Sequence, residues 1–97
     1  MLEIVWKESA LEQIQEICTY LTEEFSIEVT QKFLNKLIEK AERVAQYPES
    51  GQRTPYKSVY RLRLDKYHSI YYRLTKTKII MLYVWDGRQA PQKNKFQ

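Results

Sequence analysis

The hydrophobic rhythm of this chain changes once, around Pro48, and the change restricts what the chain can fold into. From residue 9 up to it, apolar residues recur every three or four positions; after it, they recur every second position. The first period belongs to an amphipathic helix and the second to a half-buried strand. Charge divides at the same place. Residues 1–50 hold five Lys/Arg against ten Asp/Glu, whereas residues 51–97 hold eleven against two. An acidic helical half must therefore pack on a basic strand half, which presents cations on a rigid support. Phosphates or an acidic protein segment are the natural partners of such a surface. Four of the eight tyrosines, at 60, 67, 71 and 72, fall among these cations, and solvation alone does not call for tyrosine.

Ninety-seven residues predict one domain over 1–97 with one core. Residues 2–6 alternate, with Leu2, Ile4 and Trp6 on one face of a strand. Ser9 stands three residues before Glu12, the spacing of a capping box, so a helix is predicted to start there. Its inner stripe is Ala10, Leu11, Ile14, Ile17, Cys18 and Leu21. Ser26 is the predicted cap of a second helix of roughly twenty residues, with Phe33, Leu34, Leu37, Ile38, Ala41, Val44 and Ala45 inward. Pro48 disfavours helical geometry at Tyr47, so this helix should end near Gln46.

Residues 48–58 form the one long predicted loop, with two of the three prolines. Strands are predicted over 59–64, 68–74 and 78–85, joined by short links into an antiparallel meander. The first of them alternates Tyr60, Leu62 and Leu64 against Arg61, Arg63 and Asp65. The last is apolar at nearly every position, the pattern of a strand covered on both faces. The expected fold is α+β: an N-terminal strand, a helical hairpin on one face of the sheet, then the three-stranded meander. The other face is expected to be concave, basic and rich in tyrosine.

Several chemistries find no support. One Cys and one His do not make a metal-ligand set, and two glycines do not make a phosphate loop. Cys18, on an inner helix stripe, reads as a small hydrophobe and not as a reactive thiol. No basic, then apolar, leader opens the sequence, and no apolar run approaches the roughly 18–20 residues that span a bilayer. A cytoplasmic protein without metal, cofactor or membrane partner is expected.

What remains is a constellation of Arg61, Arg63, Tyr67, His68, Tyr71, Arg73 and Arg88. The order of elements, the strand His68-Ser-Ile-Tyr-Tyr and the ending Trp85-Asp-Gly-Arg-Gln-Ala-Pro91 together resemble the RelE/ParE superfamily of bacterial toxins. That resemblance implies the toxin of a type II toxin–antitoxin pair, silenced by a cognate antitoxin. It further implies one of two targets: RelE-like members cut messenger RNA on the ribosome, and ParE-like members poison DNA gyrase. On the RelE-like reading, Arg61, Arg63 and Arg88 fall where the superfamily has basic residues that hold phosphate. Arg73 joins them as a nucleic-acid contact, and His68 or Tyr71 would supply the acid/base group. Two departures count against it. Ser69 stands where a RelE-like arginine is expected, and the C-terminal tyrosine is replaced by something around residues 94–96. The ParE-like reading rests on the long hairpin and the turn Pro48-Glu-Ser-Gly51. The rival to both is a catalytically inactive basic module that docks nucleic acid or an acidic peptide.

Overall fold

The computed structural model describes residues 1–87; Arg88 and the stretch 94–96 lie outside the described residues. The elements are β1 (Glu3–Trp6), α1 (Glu8–Glu24), α2 (Ile27–Gln46), β2 (Gln52–Arg53), β3 (Val59–Arg63), β4 (His68–Leu74) and β5 (Lys78–Asp86). They build a five-stranded sheet in the order β1-β5-β4-β3-β2. The meander β3-β4-β5 is antiparallel as expected, and β1 closes the other side by pairing parallel with β5, from Glu3 against Lys78 to Trp6 against Met81. The predicted long loop contributes the short edge strand β2, antiparallel to β3.

Helix α1 starts one residue before its expected cap. Lys7 is the N-cap and its side chain makes no capping bond. Ser9 instead donates its hydroxyl to the Leu82 carbonyl at 2.8 Å, and Gln13, one turn on, accepts the Val84 N–H at 2.7 Å. These two contacts satisfy the backbone of β5 beyond Met81, where β1 has run out. An unpaired strand edge costs more than an uncapped, solvent-exposed helix start, so the tertiary demand overrides the local capping pattern.

The start of α2 follows the local rule. Ser26 accepts the Val29 N–H at 3.2 Å, and the helix ends at Gln46, with Tyr47 already out of helical geometry at ψ 74. Phe33, Leu37, Ala41, Val44 and Ala45 are buried along its inner face, but Ile38 and, on α1, Leu11 are exposed. Each stripe is thus narrower than the spacing predicts. Thr30 enters the core instead, its hydroxyl 2.7 Å from that of Thr22 across the hairpin.

The helices cover one face of the sheet, meeting Tyr60, Leu62 and Leu64 on or just past β3, Ile70, Tyr72 and Leu74 on β4, and Ile79, Met81 and Val84 on β5. Tyr60 and Tyr72, which fall among the cations in sequence, are stacked in this core with ring centroids 5.4 Å apart. Tyr72 also fixes the loop after α2. Its hydroxyl donates to the Pro48 carbonyl at 2.8 Å and accepts the Gly51 N–H at 3.1 Å. Burial pushes this phenol above its ordinary value, against the opposing pull of the Gly51 N–H.

A Cβ at Gly51 would lie 2.5 Å from the Tyr72 hydroxyl and 3.0 Å from the Arg61 carbonyl, so only glycine fits without displacing the lock. Gly51→Ala should therefore cost roughly 1–3 kcal/mol by overpacking, and Tyr72→Phe about 1–2 kcal/mol by leaving both loop groups unpaired. Because both act on one contact, the double variant should lose less than the sum. Urea unfolding of the three variants measures this.

Candidate functional site

Strand pairing arranges the face opposite the helices into rows. Val59, Arg73 and Ile80 form one row, Arg61, Tyr71 and Tyr83 the next, and Arg63, Ser69 and Trp85 the third. On β3 and β4 this face carries three arginines and no carboxylate. It is not a bare basic surface, however. Val59, Tyr71 and Trp85 form a buried cluster, with Leu82 and Tyr83 packed against it. Tyr71 itself is only 1% exposed.

The aromatic rings reach this face because β5 contains one extra residue. Tyr71 opposes Tyr83 while Tyr72 opposes Met81, so Leu82 is the unmatched residue of a bulge. Without the bulge, Tyr83 and Trp85 would follow Ile79 and Met81 onto the helix face. With it, Val84 takes the core position and the two rings join the arginines.

The three described arginines differ in what holds them. Arg61 is half-buried, and its Nε donates to the Ser69 hydroxyl at 3.1 Å. Serine at 69 thus supplies an acceptor for Arg61 where the RelE-like pattern would place a further cation. Arg63 folds over the β3–β4 turn, with Nε donating to the Asp65 carbonyl and Nη2 to the Lys66 carbonyl, each at 3.2 Å. Arg73 is exposed, one row away on β4. Arg61 and Arg63 share a face, as their spacing predicts, but their guanidiniums are anchored to different partners. The third cation of the expected trio, Arg88, lies outside the described residues.

His68 lies on the other face. It is 4% exposed, packs against the Phe33 ring at 5.1 Å, and directs Nδ1 at both oxygens of Asp65, 2.9 and 3.0 Å away. Alternation was expected to place Asp65 beside the arginines. Regular pairing ends at Arg63, and Asp65 turns inward to accept the Tyr67 and His68 N–H groups, both at 2.8 Å. Such short polar side chains close turns by bonding their own backbone. The arrangement brings Arg61, Arg63, Arg73 and Tyr71 to one face and excludes His68 from it.

A second feature escaped the sequence reading. Between the hairpin tip and the β3–β4 turn lies a groove of about 270 Å³, lined by Leu21, Phe25, Val29, Phe33 and Tyr67 with Lys32 and Lys36 on its rim. Phe25 is 61% exposed and Ile27 65%. Apolar residues on both sides of Ser26, where a helix link is normally polar, were the available signal. Among the described residues no helix is long and apolar enough to cross a membrane, and no three His, Cys, Asp or Glu side chains gather as a metal site.

Residues 4–91 match the family described as the ParE toxin of the type II toxin–antitoxin system parDE. The chain belongs to the ParE toxin family. Solved structures carry the same fold. The chromosomal ParDE system of P. aeruginosa matches with a TM-score of 0.77 at 18% identity, covering 89% of this chain and 96% of that one. A YoeB/ParE toxin from Agrobacterium tumefaciens gives 0.64 at 10% identity, over 88% and 98%. The YoeB dimer from Staphylococcus aureus gives 0.63 at 14% identity, over 87% and 94%. A search of curated protein sequences gave no match. This ParE-family chain is thus a toxin of the type II class, and the family implies a cognate antitoxin as its partner.

In this ParE-family fold Asp65 is a structural carboxylate. Burial raises its proton affinity, but the Tyr67 and His68 N–H groups and the imidazole outweigh that, and its value falls below the ordinary one. Asp65→Ala should cost about 1–3 kcal/mol at neutral pH by orphaning these donors. A depressed carboxylate stabilises above its unfolded value of about 3.9 and loses that contribution as pH falls through the folded one. The gap between variant and wild type in urea melts should therefore narrow as the pH is taken down from about 3.9.

Proposed function

We propose that this toxin acts by binding and not by cutting, as a ParE-type inhibitor of DNA gyrase that its antitoxin silences. The observation that carries the reading is the separation, among the described residues, of the arginines from His68 and the burial of Tyr71, the two acid/base candidates. RNA cleavage requires an acid/base group beside the cations that hold the scissile phosphate. Among the described residues, His68 is buried on the opposite face, against Asp65 and Phe33, and Tyr71 is sealed in the aromatic cluster. Tyr83 packs against Trp85 and is separated from Arg61 by Tyr71 in the same row. Arg63, bonded to two turn carbonyls, would have to leave them to reach a phosphate.

A binder needs none of this machinery. Three arginines on a rigid sheet, with the family match over residues 4–91, favour a surface that recognises a macromolecular target through charge and shape. The arginines suit that role because guanidinium groups make planar, bidentate contacts that lysine does not.

The test is direct. Purified protein should inhibit gyrase supercoiling, and addition of the cognate antitoxin should restore it, while ribosomes and messenger RNA incubated with the toxin stay intact. Arg61→Ala should weaken gyrase inhibition by about tenfold or less, the cost of most single interface contacts. Cleaved transcripts with gyrase unaffected, and a loss on the order of 10² to 10³ in cleavage rate for Arg61→Ala, would establish the RelE-like activity instead. Absence of both effects from folded protein would point to the inactive binding module.

A further inference from the structure

We propose that β1 is a docking edge for a second copy of this chain, the two β1 strands pairing antiparallel across a two-fold axis at Val5 so that one sheet runs through both protomers. β1 is an outermost strand of the sheet. Its Glu3 and Lys7 N–H groups point inward, to the carbonyls of Thr77 and Met81 at 3.1 and 3.0 Å. Main-chain groups alternate in direction along a strand, so those of Ile4 and Trp6 point to the outer edge. Among the described residues nothing bonds to them there.

Other open stretches of the sheet edge are met by side chains. Past the end of β1, Ser9 and Gln13 take the Leu82 carbonyl and the Val84 N–H. At the opposite edge β2 covers Tyr60 and Arg61, and just past it Lys40 donates to the Arg63 carbonyl at 3.0 Å. β1 has no such guard, and it contains neither a proline nor a bulge. An edge left in this state is a template for another strand.

The residues of this edge fit a copy of themselves. Leu2, Ile4 and Trp6 pack against the core, which leaves Glu3, Val5 and Lys7 on the other face. Lys7, at φ −69 and ψ 150, continues the extended backbone beyond Trp6, and both it and Glu3 are exposed. In an antiparallel pair centred on Val5, Glu3 faces Lys7 of the second copy and Lys7 faces its Glu3. The two Val5 side chains meet between them, while Ile4 and Trp6 exchange main-chain bonds with Trp6 and Ile4 opposite. A two-fold contact must place one patch against itself, and opposite charges on either side of the axis meet that condition twice. Sliding the pair to the next equivalent register sets Glu3 or Lys7 against Val5 instead, so charge selects one register. Opposite-charge and aromatic–aliphatic cross-strand pairs each stabilise such a ladder. The strand is short, which puts the contact at the small end of specific interfaces, and the dimer should therefore dissociate in the micromolar range.

Sedimentation of the full chain without an N-terminal extension, from about 1 μM to about 1 mM, should show monomer converting to dimer. Hydrogen exchange at the Ile4 and Trp6 amides should slow over the same range, while the Val5 amide, held by β5, stays unchanged. Glu3→Lys and Lys7→Glu each set like charges opposite at two symmetry-related places and should each weaken dimerisation by about tenfold. An equimolar mixture of the two variants should recover the wild-type affinity, because each charge then faces its opposite in the other chain. Only a contact between copies is rescued in this way, and substitutions at such exposed positions should leave the thermal melt unaltered. A chain that stays monomeric throughout, single variants that dimerise like the wild type, or a mixture no tighter than its components would overturn the proposal. Protection of the Ile4 and Trp6 amides that appears only on adding the antitoxin would overturn it too, and would assign the edge to the antitoxin.

Discussion

The pairing of β4 with β5, seven partner pairs interrupted by the extra residue Leu82, sets what each face of the sheet can be. On one side it aligns Ile70 with Val84 and Tyr72 with Met81 under the helical hairpin. On the other it brings Tyr83 and Trp85 beside Tyr71, giving the arginine face an aromatic floor. A strand alternates its faces strictly, so a single inserted residue is the least change that moves two large rings from one side to the other. Past the end of β1, the carbonyl of the bulge residue Leu82 and the Val84 N–H are taken by Ser9 and Gln13. The entry of α1 is thus tied to the bulge.

This arrangement separates two polar systems that lie only a strand turn apart in sequence. Arg61 and Arg63 stay on the open face, each bonded to a neighbour there, while Asp65 and His68 turn under the hairpin. Sequestering the chain's only histidine removes the most versatile proton-transfer group from the cationic surface. Arginine face and buried imidazole are thus kept apart, the ring held by Asp65 beneath the hairpin. A toxin that acts by occupying its target needs such a rigid, charged surface more than it needs an acid and a base.

The hairpin tip adds an apolar counterpart to the basic sheet. Phe25, Val29 and Tyr67 border a groove rimmed by Lys32 and Lys36, on the same corner that the Asp65–His68 contact stabilises. Exposed rings at a helix link are not needed for folding, and such patches mark interaction sites more often than accidents. The chain therefore offers two surfaces of different character, one cationic on the sheet and one apolar at the hairpin tip.

Much of the architecture was legible in the sequence because it depends on period and on local stops. The 3.6-residue stripes gave the hairpin, Ser26 and Pro48 its second helix, and the alternation from Tyr60 to Leu64 the face that meets the helices. Charge patterning and the order of elements were enough for the family. What the sequence did not disclose depends on partners distant along the chain. Ser9 reads as a cap until β5 presents an unpaired carbonyl 73 residues away. Tyr72 falls among the cations in sequence, and only the Pro48 carbonyl and Gly51 N–H give its hydroxyl a buried destination. The run from Ile79 to Trp85 is apolar on both phases, so no pattern in it marks Leu82 as the extra residue; only pairing with β4 fixes that. Local rules determine which elements form, and the tertiary structure decides where polar groups find partners, because a buried donor or acceptor must be satisfied wherever the chain can reach it.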